Sequence, residues 1–353
     1  MAAISNKKPV FGISPSLRNY LRDNHREIDV PLAYSDLFHY TSSIALVDAN
    51  GDDTLWETVI YGPADESHIH YSLKKIYALL KAGGDISVMK HVKVDRVDMC
   101  LYGNTRPFRV RIVNEINDLF DYYYLKEADA SRIYGLELEH LLSPNKINYL
   151  VKGNTLIEEH IQGVPGETFI NNYVLPGKVN AGRLAKEFIK FNERCLVQLL
   201  GDMRGDNYVV EIVPDFDEVH YRIRAIDFDQ QSYDGRKAIY MPQYFKENNP
   251  IINLGINTMR PELELQYRKE ERARIANRIK TVQGQVNQLL TAMIRDEVST
   301  EENVDRLKYE LMELYRDNEF ITCRNMGEIL KTSLKMLLKK PARKEYKNAD
   351  VFA

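Results

Sequence analysis

LGDMRGDNYVV, residues 200–210, sets Asp202 and Asn207 five positions apart in a polar, glycine-containing loop between two apolar runs. The run before it, GRLAKEFIKFNERCLVQLL (182–200), has helical spacing, and the run after it opens a strand at Tyr208. Twenty residues beyond Asn207 the chain reads RIRAIDFDQQ (222–231), an apolar strand that ends in Asp227 and Asp229. A hairpin of that length brings Asn207 and Asp227 together, because both flank its open end.

Upstream of this loop the sequence is strand-rich, and downstream it is helical. SSIALVDANGDDTLWETVIY (42–61) reads as two strands joined around Asn50-Gly51. HYSLKKIYALLKAGG (70–84) places Leu73, Ile76, Tyr77 and Leu80 on one helical face, with Gly83 at its C-terminal end. VDMCLYGN, PFRVRIVNEI and LFDYYYLKEAD, between 97 and 129, predict an antiparallel meander. SRIYGLELEHLL (131–142) is helical, and NYLVKGN with TLIEEHI adds two strands around a Gly153-Asn154 turn. Beyond residue 231, Ile275, Ile279, Val282, Val286, Leu289 and Met293 form one apolar stripe. Ser299 and Glu302 are expected to box the start of the next helix. Strands first and helices afterwards argue for an α+β fold and against alternating βαβ units.

A chain of 353 residues has room for two cores at about 100–200 residues per domain. Hydrophobic residues at 44% and charged residues at 28% exclude a disordered chain and a disulfide-stapled miniature. A net charge of -3 offers nucleic acid no general attraction. Cys100, Cys195 and Cys323 are widely spaced and are expected as buried free thiols; His68 and His70 have no third ligand nearby, so zinc is set aside. The opening MAAISNKKPVFGISPS lacks the apolar core of a signal peptide, and no window approaches the roughly 18 apolar residues of a spanning helix. The expected compartment is the cytoplasm, with no membrane partner.

Phosphoryl transfer needs a carboxylate to orient the attacking hydroxyl, oxygen ligands for Mg²⁺ and a cation on the nucleotide phosphates. Asp202, Asn207 and Asp227 are of the right kinds for the first two. With the later I-D-F-D, this pattern resembles the catalytic loop and metal-binding aspartate of the protein-kinase-like superfamily, in the style of the aminoglycoside and choline phosphotransferases. The resemblance implies a two-lobed fold with an antiparallel-sheet N-lobe and a mainly helical C-lobe, ATP and Mg²⁺ as cofactors, and a nucleotide between the lobes. It implies Asp202 as catalytic base and Asn207, Asp227 and Asp229 as metal ligands. It also implies Lys126, at the end of an aromatic strand, on the phosphates, anchored by Glu137 on the next helix. Glu139 competes with Glu137, but two residues apart on a helix they face different ways. TLIEEHIQG would be the last N-lobe strand and the hinge, its backbone from Glu159 to Ile161 meeting the adenine edge.

On this reading residues 1–93 form an N-terminal extension packed on the N-lobe, 94–162 the N-lobe, and 163–353 the C-lobe with its C-terminal helices. The resemblance spans roughly residues 94–235. It departs from the family at LYGNTRPFRV, where Gly103 stands alone in place of a glycine-rich loop, and at QQSYDGRKAIYMPQYFKENNP, which lacks an activation-segment pattern. The expected activity is phosphoryl transfer to a hydroxyl acceptor, a small molecule in preference to a protein. The rivals are a pseudokinase-type nucleotide sensor or scaffold and a nucleotidyl transferase on the same fold. A protein partner at the helical C-terminus is a further expectation. The basic tail KKPARKEYKN reads as a solvated end.

Overall fold

The computed structural model describes residues 8–339 except 49, 103–105 and 217. The protein is α+β, and its chain divides into two compact units. One is Gly12–Asp129 with Ile147–His160; the other is Ala130–Lys146 with the chain from Ile161 onward and an N-terminal piece ending at Phe11.

The first unit is built on a seven-stranded antiparallel sheet. Its strands are β1 (Ser42–Val47), β2 (Asp53–Ile60), β3 (Val92–Cys100), β4 (Phe108–Asn114), β5 (Phe120–Glu127), β6 (Tyr149–Lys152) and β7 (Thr155–Glu159), in the order β1-β2-β3-β4-β5-β7-β6. The hairpin read from Asn50-Gly51 joins β1 to β2, with Gly51 at φ 88. These strands, placed by the sequence in an N-terminal extension, pair into the same sheet as β3. Helix α1 (Pro15–Asp23) starts at Ser14, whose side chain accepts from the Leu17 amide. Helix α2 (Pro63–Lys81) lays Leu73 and Ile76 on a core that includes Val97, Phe108, Val110, Tyr123 and Leu125. Each such side chain contributes about 1.5–3 kcal/mol by burial.

The period-two alternation of β3 is interrupted where its register slips between Val94 and Arg96, so Val92 and Val94 share the buried phase with Val97 and Met99. The slip leaves Arg96 and Asp98 pointing away from that core. Asp98 is fully buried all the same. Thr58 Oγ1 donates to it at 2.8 Å, and Arg96 Nε and Arg109 Nη2 at 3.0 and 2.8 Å.

The second unit begins with α3 (Ala130–Leu142) and has a small sheet of β8 (Val164–Pro165), β9 (Tyr208–Asp215) and β10 (Glu218–Ala225), ordered β10-β9-β8. Its other helices are α4 (Gly166–Phe169), α5 (Ala181–Gln198), α6 (Asn249–Thr258), α7 (Pro261–Thr281), α8 (Gln283–Ile294), α9 (Glu301–Tyr315) and α10 (Met326–Met336). The stripe from Ile275 to Met293 is buried at every position but Val282, where the helix breaks and α8 begins. The cap expected at Ser299 lies one residue later: Thr300 accepts from the Asn303 amide, while the Ser299 hydroxyl donates to the Tyr233 carbonyl. All three cysteines are buried free thiols. Among the described residues no helix is long and apolar enough to cross a membrane. Residues 340–348 of the basic tail lie outside the described residues.

Helices α5 and α7 are joined by buried charge. Glu193, with no exposed surface, accepts from Arg268 Nε at 3.0 Å and from Arg272, and Arg194 bridges Glu187 at 3.1 Å and Glu271 at 3.2 Å. Burial raises the Glu193 carboxyl, but the two arginines outweigh it and hold the group below the usual range. Replacing one member strands its partners in a dry environment. Glu193→Ala is expected to lower stability by about 3–5 kcal/mol, read as a fall in the urea midpoint at pH 7. A midpoint within error of wild type would show that the arginines find other partners.

Candidate active-site loop and its carboxylates

The polar loop starts where α5 stops. Leu199 takes the left-handed conformation at φ 54 and ends the helix. The Gly201 amide then bonds the Gln230 carbonyl at 3.3 Å, and the Asp202 amide bonds the Ile239 carbonyl at 3.0 Å. A side chain at position 201 would lie 2.9 Å from Ile239 Cγ2 and 3.0 Å from the Gln230 oxygen, so only glycine fits there. Asp202 is itself left-handed, at φ 61. Such a backbone is uncommon outside glycine and is tolerated best by Asn and Asp.

Asn207 closes the loop. Its Nδ2 donates to the Asp202 carbonyl at 2.7 Å and to Asp202 Oδ2 at 3.2 Å, and the Asn207 amide bonds the Arg204 carbonyl at 2.9 Å. Its own carbonyl accepts from the amides of Ile226 at 3.0 Å and Asp227 at 3.4 Å, so the loop and the end of β10 are held together as the hairpin spacing predicted. Asp202 is 9% exposed. Burial pushes its carboxyl up to about 6, and Asp227 adds to the rise against the opposing pull of Arg204 and the Asn207 hydrogen bond.

Asp227 and Asp229 follow β10 and converge on Arg132, in the first turn of α3. One nitrogen, Nη1, lies 2.7 Å from Asp227 Oδ1 and 2.7 Å from Asp229 Oδ1, and Nη2 reaches the Ile226 carbonyl at 3.3 Å. The Asp229 amide also bonds Asp227 Oδ1 at 3.1 Å. Ser131 Oγ donates to the Gln231 carbonyl at 2.6 Å, and Gly135 lets α3 lie against Phe228, which a Cβ would approach to 3.0 Å. Arg132 was not anticipated. Its signal in the sequence is an arginine near the start of a helical run whose other charged residues, Glu137 and Glu139, are acids, and a buried arginine demands a counter-charge.

The oxygens of Asn207, Asp227 and Asp229 suit a hard cation in kind. They do not fit a metal held by the protein alone, because a guanidinium already occupies the two carboxylates. Among the described residues no group of three or more His, Cys, Asp or Glu is placed to hold a metal.

The other predicted residues divide between the units. Lys126, on β5, bonds Glu158 Oε2 on β7 at 3.0 Å and lies 5.6 Å from the centre of the Tyr124 ring. Its observed partner is therefore a strand acid, where the sequence reading had Glu137. Glu137 is buried in α3 of the other unit, and Glu139 accepts from Asn145 Nδ2 at 3.0 Å. Glu158 faces the same side of the sheet as Lys126 on the diagonal of the β5–β7 register, a relation that spacing along the chain does not encode.

The chain passes from one unit to the other between His160 and Ile161. The Glu159 amide bonds the Asn148 carbonyl at 3.1 Å and the His160 amide bonds the Tyr122 carbonyl at 3.2 Å. Two donors expected to face adenine are thus used inside the sheet. The Glu159 side chain caps the Asn148 amide at 2.7 Å, and Ile161 is 8% exposed. Gly103 lies outside the described residues.

The raised Asp202 carboxyl fixes a pH dependence. A carboxyl whose folded pKa of about 6 exceeds its ordinary 3.8 binds protons better in the folded state, so stability falls as pH rises between those values. Asp202→Asn removes that fall. At pH 7 the variant is expected to be more stable than wild type by about 3 kcal/mol, and near pH 3.5 the two converge. Melting curves across this range check it, and parallel curves would remove the raised pKa. No protein-family model matches the chain, and no curated protein matches it.

Proposed function

We propose that this chain is an ATP- and Mg²⁺-dependent phosphotransferase on a protein-kinase-like scaffold, moving a phosphoryl group to a hydroxyl of a small molecule in preference to a protein. The observation that carries the reading is the setting of Asp202: buried, held by Asn207 in a left-handed loop, with its carboxyl pushed up to about 6 by burial. A group with that pKa is ionised at neutral pH yet basic enough to accept a hydroxyl proton. Support for the scaffold comes from the chain order. Lys126 lies on the third strand of the β3–β5 meander, α3 follows, and β6 and β7 precede the polar loop.

In the proposed reaction the acceptor hydroxyl donates its hydrogen bond to the Asp202 carboxylate. Its oxygen forms a bond to the γ-phosphorus as the bond from that phosphorus to the β,γ-bridging oxygen breaks; the hydroxyl proton passes to Asp202 and ADP leaves. Asn207 keeps the carboxylate aimed by holding both its backbone carbonyl and one of its oxygens. The resemblance would give Lys126 to the phosphates, and within its own unit Glu158 is the acid that holds it. Magnesium supplies charge neutralisation on the phosphates when bound.

A nucleotide-binding sensor without transfer is the second reading. It is favoured by the Arg132 guanidinium on the carboxylates that a catalytic metal would use.

Two measurements separate the readings. ATP with Mg²⁺ at about 100 times its dissociation constant adds roughly 2.7 kcal/mol of stability in either case. Release of ADP in the presence of pooled hydroxyl acceptors occurs only with transfer, and Asp202→Asn is expected to lower it by about 10²–10⁴-fold with the ATP-induced melting shift intact. A wild type whose melting ignores ATP and Mg²⁺ rejects both readings, and full turnover in Asp202→Asn rejects the base assignment.

A further inference from the structure

We infer that two copies of this chain pair along the open edge of the first unit's sheet, β1 against β1, antiparallel about a two-fold axis at Ile44. The inference is independent of the phosphotransferase reading.

The two edges of the seven-stranded sheet are treated differently. At the β6 edge the segment after α1 takes up outward backbone groups: the Val151 amide bonds the Arg26 carbonyl at 2.8 Å, and the Ile28 amide bonds the Val151 carbonyl at 3.1 Å. The β1 edge has no such cover. Among the described residues β1 has one neighbouring strand, β2, and its backbone makes no hydrogen bond to any other element. An edge strand turns the amide and carbonyl of alternate residues outward, where they are ready to pair with another strand.

The side chains do not guard this edge. SSIALV (42–47) contains no charge and no proline, the residues that ordinarily stop edge-to-edge pairing. Ser42, Ile44, Ala45 and Val47 are exposed, Ile44 at 62%. The register of β1 on β2 slips only between Leu46 and Val47, so residues 42–46 form a regular strand.

Charge placement selects a second copy, in the antiparallel direction, as the occupant. The strand itself is neutral, and Asp48, Asp52 and Asp53 gather at one end of it, at the turn to β2. Parallel copies would set those acidic turns side by side. A two-fold axis perpendicular to the sheet at Ile44 sets them at opposite ends, each beside Thr41 and Tyr40 of the other copy. The axis places Ile44 opposite itself, Ser43 opposite Ala45 and Ser42 opposite Leu46. Ile44 pairs with Thr58 on β2 and points away from the core that holds Val59, so its meeting with its twin covers a side chain the monomer leaves in water. A pairing confined to one short strand falls short of the about 20–30 residues a side of a standard interface, so the dimer is weak and reversible.

Sedimentation equilibrium of the full chain is expected to show monomer and dimer with a dissociation constant on the order of 10–100 μM. Ile44→Lys and Ile44→Asp set like charges opposite one another and each weaken pairing by about tenfold or more. Mixing the two variants restores it as a heterodimer, and Leu175→Lys, at an exposed apolar position of the other unit, leaves it unchanged. Hydrogen exchange of wild type needs no variant: amides within 42–46 exchange more slowly as concentration rises through that range. Wild type that stays monomeric up to about 1 mM overturns the inference and leaves the edge to a strand of another protein. Unchanged dimerisation in folded Ile44→Lys, a mixture no tighter than either variant alone, or exchange at 42–46 that ignores concentration overturns it as well.

Discussion

One guanidinium nitrogen shared by two carboxylates organises the polar centre of the second unit. Arg132 buries a positive charge at the wrong end of a helix, and the segment after β10 compensates it with two carboxylates and a carbonyl, which holds α3 on residues 226–231. That segment is bonded in turn to the Asn207 carbonyl and, through Gln230, to Gly201. The geometry of Asp202 therefore follows from a charge balance struck at Arg132 and passed along the backbone. Each link is a hydrogen bond to a buried group, and such bonds are costly to leave unmade.

The two units are held by different means. The sheet of the first unit is covered on one face by α2 and an apolar core, with the fully buried carboxylate of Asp98 gathering two arginines on the opposite face. The second unit relies much more on charge, with Glu193, Arg194, Arg268 and Glu271 placed between α5 and α7. Buried ion pairs add less net stability than apolar contacts of the same volume, yet they tolerate few alternative arrangements. The ions around the candidate site are thus better suited to fixing geometry than to raising stability.

The elements were legible because their periods are local. Alternation of two gave the meander, and spacing of three to four gave α2, α3 and α5; the break at Val282 was not seen, and the cap moved from Ser299 to Thr300 because the Ser299 hydroxyl is taken by the Tyr233 carbonyl, 66 positions away. The same distinction holds at the site. Asp202 and Asn207 lie in one turn, so their spacing encodes their contact, and the length of the β9–β10 hairpin brings Asp227 to them. Lys126 with Glu158 is a diagonal across two strands, and Arg132 with Asp227 spans 95 positions. Neither can be read without the fold. The absence of glycines near 103 was visible in the sequence, but the cation lying on the carboxylates was not.

The left-handed backbone at position 202 also constrains how this protein can drift over evolutionary time. After glycine, aspartate and asparagine are the residues most at ease at a φ of 61, so the substitution most readily accepted there exchanges an acid for its amide. That exchange keeps the turn, the partner for Asn207 and the fold, and it erases the proton acceptor. A lineage can therefore abandon chemistry at this position in one step while the scaffold survives for binding alone.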